Sequence, residues 1–204
     1  MQKRKVLVVF LGSFNPPINS HFMLAQQLLD KNKEVEKILF VPVNKKYNKP
    51  DLIDDNHRYN MLKLVCDKNE NFDVSKIEIQ NDRYLYTIET LIALKTQYEN
   101  YDICFSIGTD NLKTLSTWKE AEKLVSDYKI IVLERGDEDN MEDIIKNDVF
   151  LKQHKEAFMK LDNAIYTNLS STYVREKIKN GESVKYLMPD KVYQYIRENK
   201  LYGY

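Results

Sequence analysis

The sequence predicts an α/β fold, a parallel sheet with helices on both faces, and three observations carry that expectation. Short apolar, β-branched runs alternate with longer segments whose apolar residues recur at helical spacing. Those short runs are nearly continuous in apolar residues, as strands covered on both faces are. The final stretch then abandons strands for two amphipathic helices.

The first run, 6–11 (VLVVFL), follows a basic MQKRK start and breaks at once into FNPP. With no small-residue cleavage site it reads as a buried first strand and not as a secretory signal. Further strands are expected at 37–43, 74–79, 103–107, 130–133 and 164–166, and helices at 22–29, 56–66, 88–98, 118–125 and 141–159. A short helix at 111–115 follows the fourth strand. Residues 170–179 and 189–199 read as the two closing helices, the second with Pro189 in its first turn and Val192, Tyr195 and Ile196 on its buried face. The expected architecture is a Rossmann-like core over 1–168 and a small C-terminal helical extension over 169–204, together one domain.

Composition narrows the function classes. The chain has 204 residues, with 31 Lys+Arg against 31 Asp+Glu, so it lacks the basic excess of a phosphate-backbone binder and no nucleic-acid partner is expected. No apolar run approaches the roughly 18 residues of a membrane span. Two cysteines, Cys66 and Cys104, and three scattered histidines form neither a disulfide frame nor a zinc site. A cytoplasmic protein is expected, with the oligomeric state, a homo-oligomer included, left open. The five glycines, among them Gly12, Gly108 and Gly136, are expected to mark turns.

In such folds ligands bind beyond the carboxyl ends of the strands, near the point where strand order reverses. The loop after the first strand, Leu11-Gly12-Ser13-Phe14-Asn15-Pro16-Pro17-Ile18-Asn19-Ser20-His21, is neither a GxGxxG fingerprint nor a GxxxxGK[ST] loop. Gly12 permits close approach of the backbone to a ligand, and the helix start at His21 can hold an anion. Read alone, His21 fits a histidine capping polar groups in a turn better than a ligand-binding one. Ser170, Ser171 and Thr172 are helix-capping types, and Arg175 lies one turn further on, within reach of a phosphate. Gly108-Thr109-Asp110 ends the fourth strand, where a carboxylate can accept ribose hydroxyls or cap the next helix.

The segment from Gly12 to His21 resembles the (H/T)xGH signature of a nucleotidyltransferase superfamily, and Ser170-Ser171-Thr172-Tyr173-Val174-Arg175 resembles its SSTxxR signature. Within that superfamily the chain looks most like the nicotinate/nicotinamide mononucleotide adenylyltransferases. Supporting blocks run in order through nearly the whole chain: Val41-Pro42-Val43 with Lys49, His57-Arg58 with Met61-Leu62, Tyr86-Thr87-Ile88-Glu89-Thr90-Leu91, Gly108-Thr109-Asp110 with Trp118, and Ser183–Leu187 with Pro189. Two positions depart. The first His/Thr falls on Ile18, which cannot donate a hydrogen bond from its side chain, and the motif glycine falls on Ser20.

The resemblance implies adenylyl transfer from ATP to nicotinate mononucleotide, giving the deamido dinucleotide and pyrophosphate in NAD synthesis. It implies His21 and Arg175 as the catalytic pair. Gly12, Ser13, Phe14, Gly108, Asp110, Ser170, Ser171 and Thr172 would join them around ATP. Asn15, Lys49, Thr87, Thr90 and Trp118 would hold the mononucleotide, with Trp118 stacked on the pyridine ring. Arg58 could help neutralise phosphate, while His57 suits a structural role at a helix start. Mg²⁺ would enter on the ATP phosphates, with no protein metal site expected. Nicotinamide mononucleotide as preferred or equal substrate, a sibling enzyme acting on phosphopantetheine or a polyol phosphate, and a nucleotide-binding regulator without turnover stay open as alternatives.

Overall fold

A computed structural model describes residues 4–47, 49, 51–134, 140–161 and 163–204; Gly136 lies outside them. Six strands, β1 (Lys5–Gly12), β2 (Val35–Pro42), β3 (Phe72–Val74), β4 (Tyr101–Gly108), β5 (Lys129–Leu133) and β6 (Phe158–Lys160), form one sheet in the order β3-β2-β1-β4-β5-β6. Every pairing is parallel. Strand order reverses between β1 and β4, so the loops after Gly12 and Gly108 flank the crevice where such sheets take ligands.

Side chains alternate across the sheet because successive residues of a strand face opposite ways. Leu7, Val9, Leu39 and Val41 enter one apolar layer, with Leu91 and Leu94 of α3 (Thr87–Gln97). Val8, Phe10, Ile38 and Phe40 enter the other, with Ala25 and Leu28 of α1 (Asn19–Lys31) and Leu62 of α2 (Asp55–Cys66). A third cluster joins α8 (Ser171–Lys179) and α9 (Asp190–Glu198) to Met61 of α2 and Ile18 of the first loop. The C-terminal helices are therefore docked on the side of the molecule where the first loop turns.

Several element boundaries differ from the sequence expectation, each for a physical reason. The helix expected over 141–159 is broken into α6 (Met141–Asn147), α7 (Val149–Gln153), a 3₁₀ turn and β6. Asp148 is extended at φ −115° and ψ 123°, and its carboxylate accepts the Leu151 N–H at 2.9 Å, capping a new helix. The strand expected at 164–166 is not one. Gln27 of α1 takes both backbone groups of Ile165, accepting its N–H at 2.7 Å and donating to its carbonyl at 3.0 Å, so the segment pairs with a side chain instead of a strand. The strand expected over 74–79 stops at Val74, because Ser75 Oγ accepts the Ile77 N–H at 3.1 Å and turns the chain. After β4 the short helix expected at 111–115 opens earlier, as α4 (Thr109–Leu112), and the helix expected at 118–125 is α5 (Ala121–Asp127). Glu120, left-handed at φ 53°, separates α5 from Trp118. Pro189 is the residue before α9 and not its first turn.

Candidate active site

A cavity of about 660 Å³ opens at the carboxyl ends of β1 and β4, inside the roughly 300–1,000 Å³ range usual for small-molecule sites. Its wall combines the first loop, the ends of β4 and β5, the start of α3, Trp118 and the start of α8.

The first loop is held from outside by four donors on three other segments. The Val43 N–H donates to the Gly12 carbonyl at 3.0 Å, and Arg58 Nη1 to that of Ser13 at 2.9 Å. Arg175 Nη1 donates to the Asn15 carbonyl at 2.8 Å and Ser171 Oγ to that of Pro16 at 2.7 Å. Four carbonyl dipoles are thereby bound to protein donors, which lowers the negative potential an incoming phosphate would meet. Phe14 adopts φ 45° and lays its ring under Gly12, where an added Cβ would lie 3.1 Å from the ring edge. That ring is buried and meets the His21 imidazole edge-on at 5.1 Å, so its side chain supports the loop from beneath.

His21 lies in the first turn of α1. The Ile18 N–H donates to its Nδ1 at 3.0 Å, which makes Nε2 the protonated nitrogen of the neutral ring. Ile18 is 1% exposed and packs in the third apolar cluster with Met61, Val174 and Ile196. The departure at this position therefore has a structural reason. The side chain fastens the loop to the C-terminal helices, while the backbone amide orients the histidine.

Asn15 is a junction. Its Nδ2 donates to the Asp51 carbonyl at 2.8 Å, and its Oδ1 accepts the Tyr202 hydroxyl at 2.9 Å and the Ile53 N–H at 3.4 Å. Although Asn15 borders the cavity, these bonds engage its side chain in tying the loop to the β2–α2 connection and to the chain's last turn. Lys49 Nζ donates to Ser13 Oγ at 3.1 Å, which places an exposed cation over the loop.

On the opposite wall Ser170 caps α8, its Oγ accepting the Tyr173 N–H at 3.1 Å. The positive end of that helix, with Ser170, Ser171, Thr172 and Arg175, faces the cavity. Asp110 folds back over Gly108 so closely that a Cβ on residue 108 would fall under 3.0 Å from its Oδ1. Trp118 is half-buried, its Nε1 donating to Thr114 Oγ1 at 3.3 Å, and its remaining surface borders the cavity beside Thr87.

Two residues expected at the site sit elsewhere. Thr90 is fully buried and its hydroxyl donates to Glu78 Oε1 at 2.8 Å, so it stands behind the wall and not in it. Arg58 is also fully buried, paired with Asp55 and bonded to the Ser13, Val43 and Ile53 carbonyls. It is a strut between loops, without a face for phosphate. His57 bridges α2 to α9 through Tyr195 Oη at 2.9 Å.

The sequence reading missed Glu78, Glu134 and Tyr202. Glu78 and Glu134 are buried carboxyls on the cavity wall. Burial pushes the Glu78 carboxyl up to about 7 against the opposing pull of Thr90, Asn44 and Arg58. Glu134 accepts the Met141 N–H at 2.9 Å and pairs with Lys160 at 3.1 Å. Among the described residues no group of three or more His, Cys, Asp or Glu side chains is placed to hold a metal ion, and no helix is long and apolar enough to cross a membrane.

The cytidylyltransferase-like family model matches residues 9–177. The chain is 33% identical over 206 aligned positions to the "Probable nicotinate-nucleotide adenylyltransferase" of Clostridium tetani, covering 97% of this chain and 99% of the relative. The protein of the same name in Borrelia hermsii is 31% identical over 197 positions, 96% of this chain and 97% of its own length. Among solved structures, the Plasmodium falciparum nicotinic acid mononucleotide adenylyltransferase complexed with NaAD superposes with a TM-score of 0.77 at 20% identity, covering 97% of both chains. That last likeness is one of fold.

Proposed function

Because this chain belongs to the cytidylyltransferase-like family, and within it to the nicotinate-nucleotide adenylyltransferases, we propose that its cavity joins ATP to nicotinate mononucleotide. A 5′-phosphate oxygen of the mononucleotide attacks the α-phosphorus of ATP, the bond from that phosphorus to the bridging oxygen breaks, and pyrophosphate leaves. The nucleophile is already anionic, so no general base is required. The reaction needs in-line placement and stabilisation of shifting charge.

The observation that carries this reading is the hydrogen bond from the Ile18 N–H to His21 Nδ1. With Nδ1 occupied by the Ile18 amide, the ring offers an Nε2–H donor, as an α-phosphate oxygen gaining charge requires. Arg175, at the positive end of α8, holds the β- and γ-phosphates with its remaining guanidinium donors. Asp110 accepts the adenosine ribose hydroxyls, and Lys49 meets the mononucleotide phosphate. Trp118 stacks on the pyridine ring, whose positive charge an indole face attracts, and the amides at the start of α3 beside Thr87 take the ring's carboxylate.

His21, Lys49, Arg175 and the helix amides suit phosphate oxygens and not a cation, so a Mg²⁺ ion would be held by ATP itself and would supply neutralisation of the leaving pyrophosphate. We place the reaction in the cytoplasm.

The test is pyrophosphate release with ATP, Mg²⁺ and either mononucleotide. Dinucleotide is expected from both, with nicotinate mononucleotide the better substrate by kcat/KM. A tenfold or greater preference for the amide overturns the substrate choice, and no dinucleotide from either overturns the reaction.

A further inference from the structure

Glu78 is 2% exposed, and among the described residues its Oε2 is the buried side-chain polar atom without a hydrogen-bond partner. Its other oxygen is bonded to Thr90, one turn into α3, and the residue contributes to the cavity wall beside Tyr84, Tyr86 and Thr87. A carboxyl group thus stands behind the helix turn whose first residue, Thr87, borders the cavity. We propose that Glu78 is a specificity-determining residue that admits an anionic ring substituent at the start of α3 while protonated and opposes it once ionised. This inference rests on the adenylyl-transfer reading above.

The physical argument is competition between like charges. The positive end of α3 stabilises one carboxylate. A second carboxylate one turn away disfavours the first, whereas a neutral carboxamide is nearly indifferent to it. The groups facing Glu78 are Arg58 from α2, Asn44 from the β2–α2 connection, Thr90 from α3 and Tyr84 from the segment before it. Arg58 and the hydrogen bonds from Thr90 and Asn44 favour the ionised form, and burial outweighs them, bringing the carboxyl to about 7. Tyr84 is pushed up to about 12 by burial and stays neutral across the working range. Glu89, on the outer side of the same turn, is held down at about 2 by Arg83 and the Tyr86 amide and stays ionised throughout. Within this group Glu78 is the side chain that changes charge near neutrality.

The experiment measures kcat/KM for nicotinate and nicotinamide mononucleotide from roughly pH 6 to roughly pH 8.5, a window centred on that value. The two substrates share the 5′-phosphate, ATP and His21, so titrations common to both cancel in the ratio. The nicotinate-to-nicotinamide ratio is expected to fall roughly tenfold across the window, with its midpoint near neutrality. Glu78→Gln is expected to give a ratio independent of pH with its melting temperature retained. Thr90→Val keeps the acid but removes a bond that favours its ionised form, so the midpoint should move to higher pH even if Glu78→Gln fails to fold. A flat ratio in the wild type, or an unchanged slope in Glu78→Gln, overturns the proposal while turnover of both substrates leaves the reaction standing. Turnover of neither overturns both.

Discussion

Alanine at Gly108 separates the position of the Asp110 carboxylate from the integrity of the fold. Gly108 has φ −78° and ψ 164°, a conformation any residue adopts, so the substitution carries no backbone strain. The added Cβ meets three atoms: Asp110 Oδ1 at under 3.0 Å, Asp110 Cγ at 3.6 Å and the Leu133 carbonyl at 4.0 Å. The latter two are ordinary contacts, so the clash is with one oxygen at the end of an exposed side chain, and the carboxylate must swing away. Moving it costs about 1 kcal/mol or less, which for a chain of this size lowers Tm by no more than about 4 °C. If that carboxylate binds the adenosine ribose, losing a hydrogen bond to a charged group costs about 1.5–3 kcal/mol, or roughly 10- to 150-fold in ATP affinity. Calorimetry and steady-state kinetics with each substrate varied in turn check the two halves. A raised KM for ATP, an unchanged KM for the mononucleotide and a nearly unchanged Tm are expected. An ATP KM within twofold of wild type would refute the assignment of Asp110 to ATP.

His21→Ala should lower kcat roughly 10²- to 10³-fold with little change in either KM if, as proposed, the lost donor acts where charge develops; single-turnover kinetics check this. Arg175→Ala should raise the KM for ATP and also loosen the first loop, because the same guanidinium holds the Asn15 carbonyl at 2.8 Å. Arg175→Lys should recover part of each effect, a point charge being unable to make both contacts. Ile18→Thr, which restores a residue type of the superfamily motif, should destabilise the protein by about 1–3 kcal/mol in urea unfolding, because it puts a hydroxyl into an apolar cluster. It should bring no gain in kcat. The Glu78 carboxyl, raised by burial from 4.5 to about 7, keeps its proton longer in the folded chain than in the unfolded one. Stability should therefore be greatest below about pH 4.5 as far as this group is concerned, and fall by about 3 kcal/mol as pH rises through 7. Denaturant midpoints across that range should show the decline in the wild type and a shallower one in Glu78→Gln.

By itself the sequence determined the central strands, the alternation that makes the sheet parallel, and the two signatures around His21 and Arg175. Each is a local pattern: continuous apolar runs such as VLVVFL need burial on both faces wherever they are placed, and a capping serine followed by a helix acts within one turn. Tertiary structure decided the rest, because the deciding partners are remote. Whether 158–160 or 164–166 joins the sheet depends on β5 and on Gln27, which is 138 residues from Ile165. The helix pattern does not say whether Thr90 and Arg58 face the cavity or the interior, since the rotation of α3 and α2 follows from what they pack against. Glu78 reads as one acidic residue among many until Thr90, Asn44 and Arg58 close around it. Tyr202 becomes part of the site only when the last turn of the chain returns to Asn15, 187 residues away. Local residue patterns determine which elements and motifs form, whereas the facing of a side chain and the energy of its proton depend on neighbours brought together by packing.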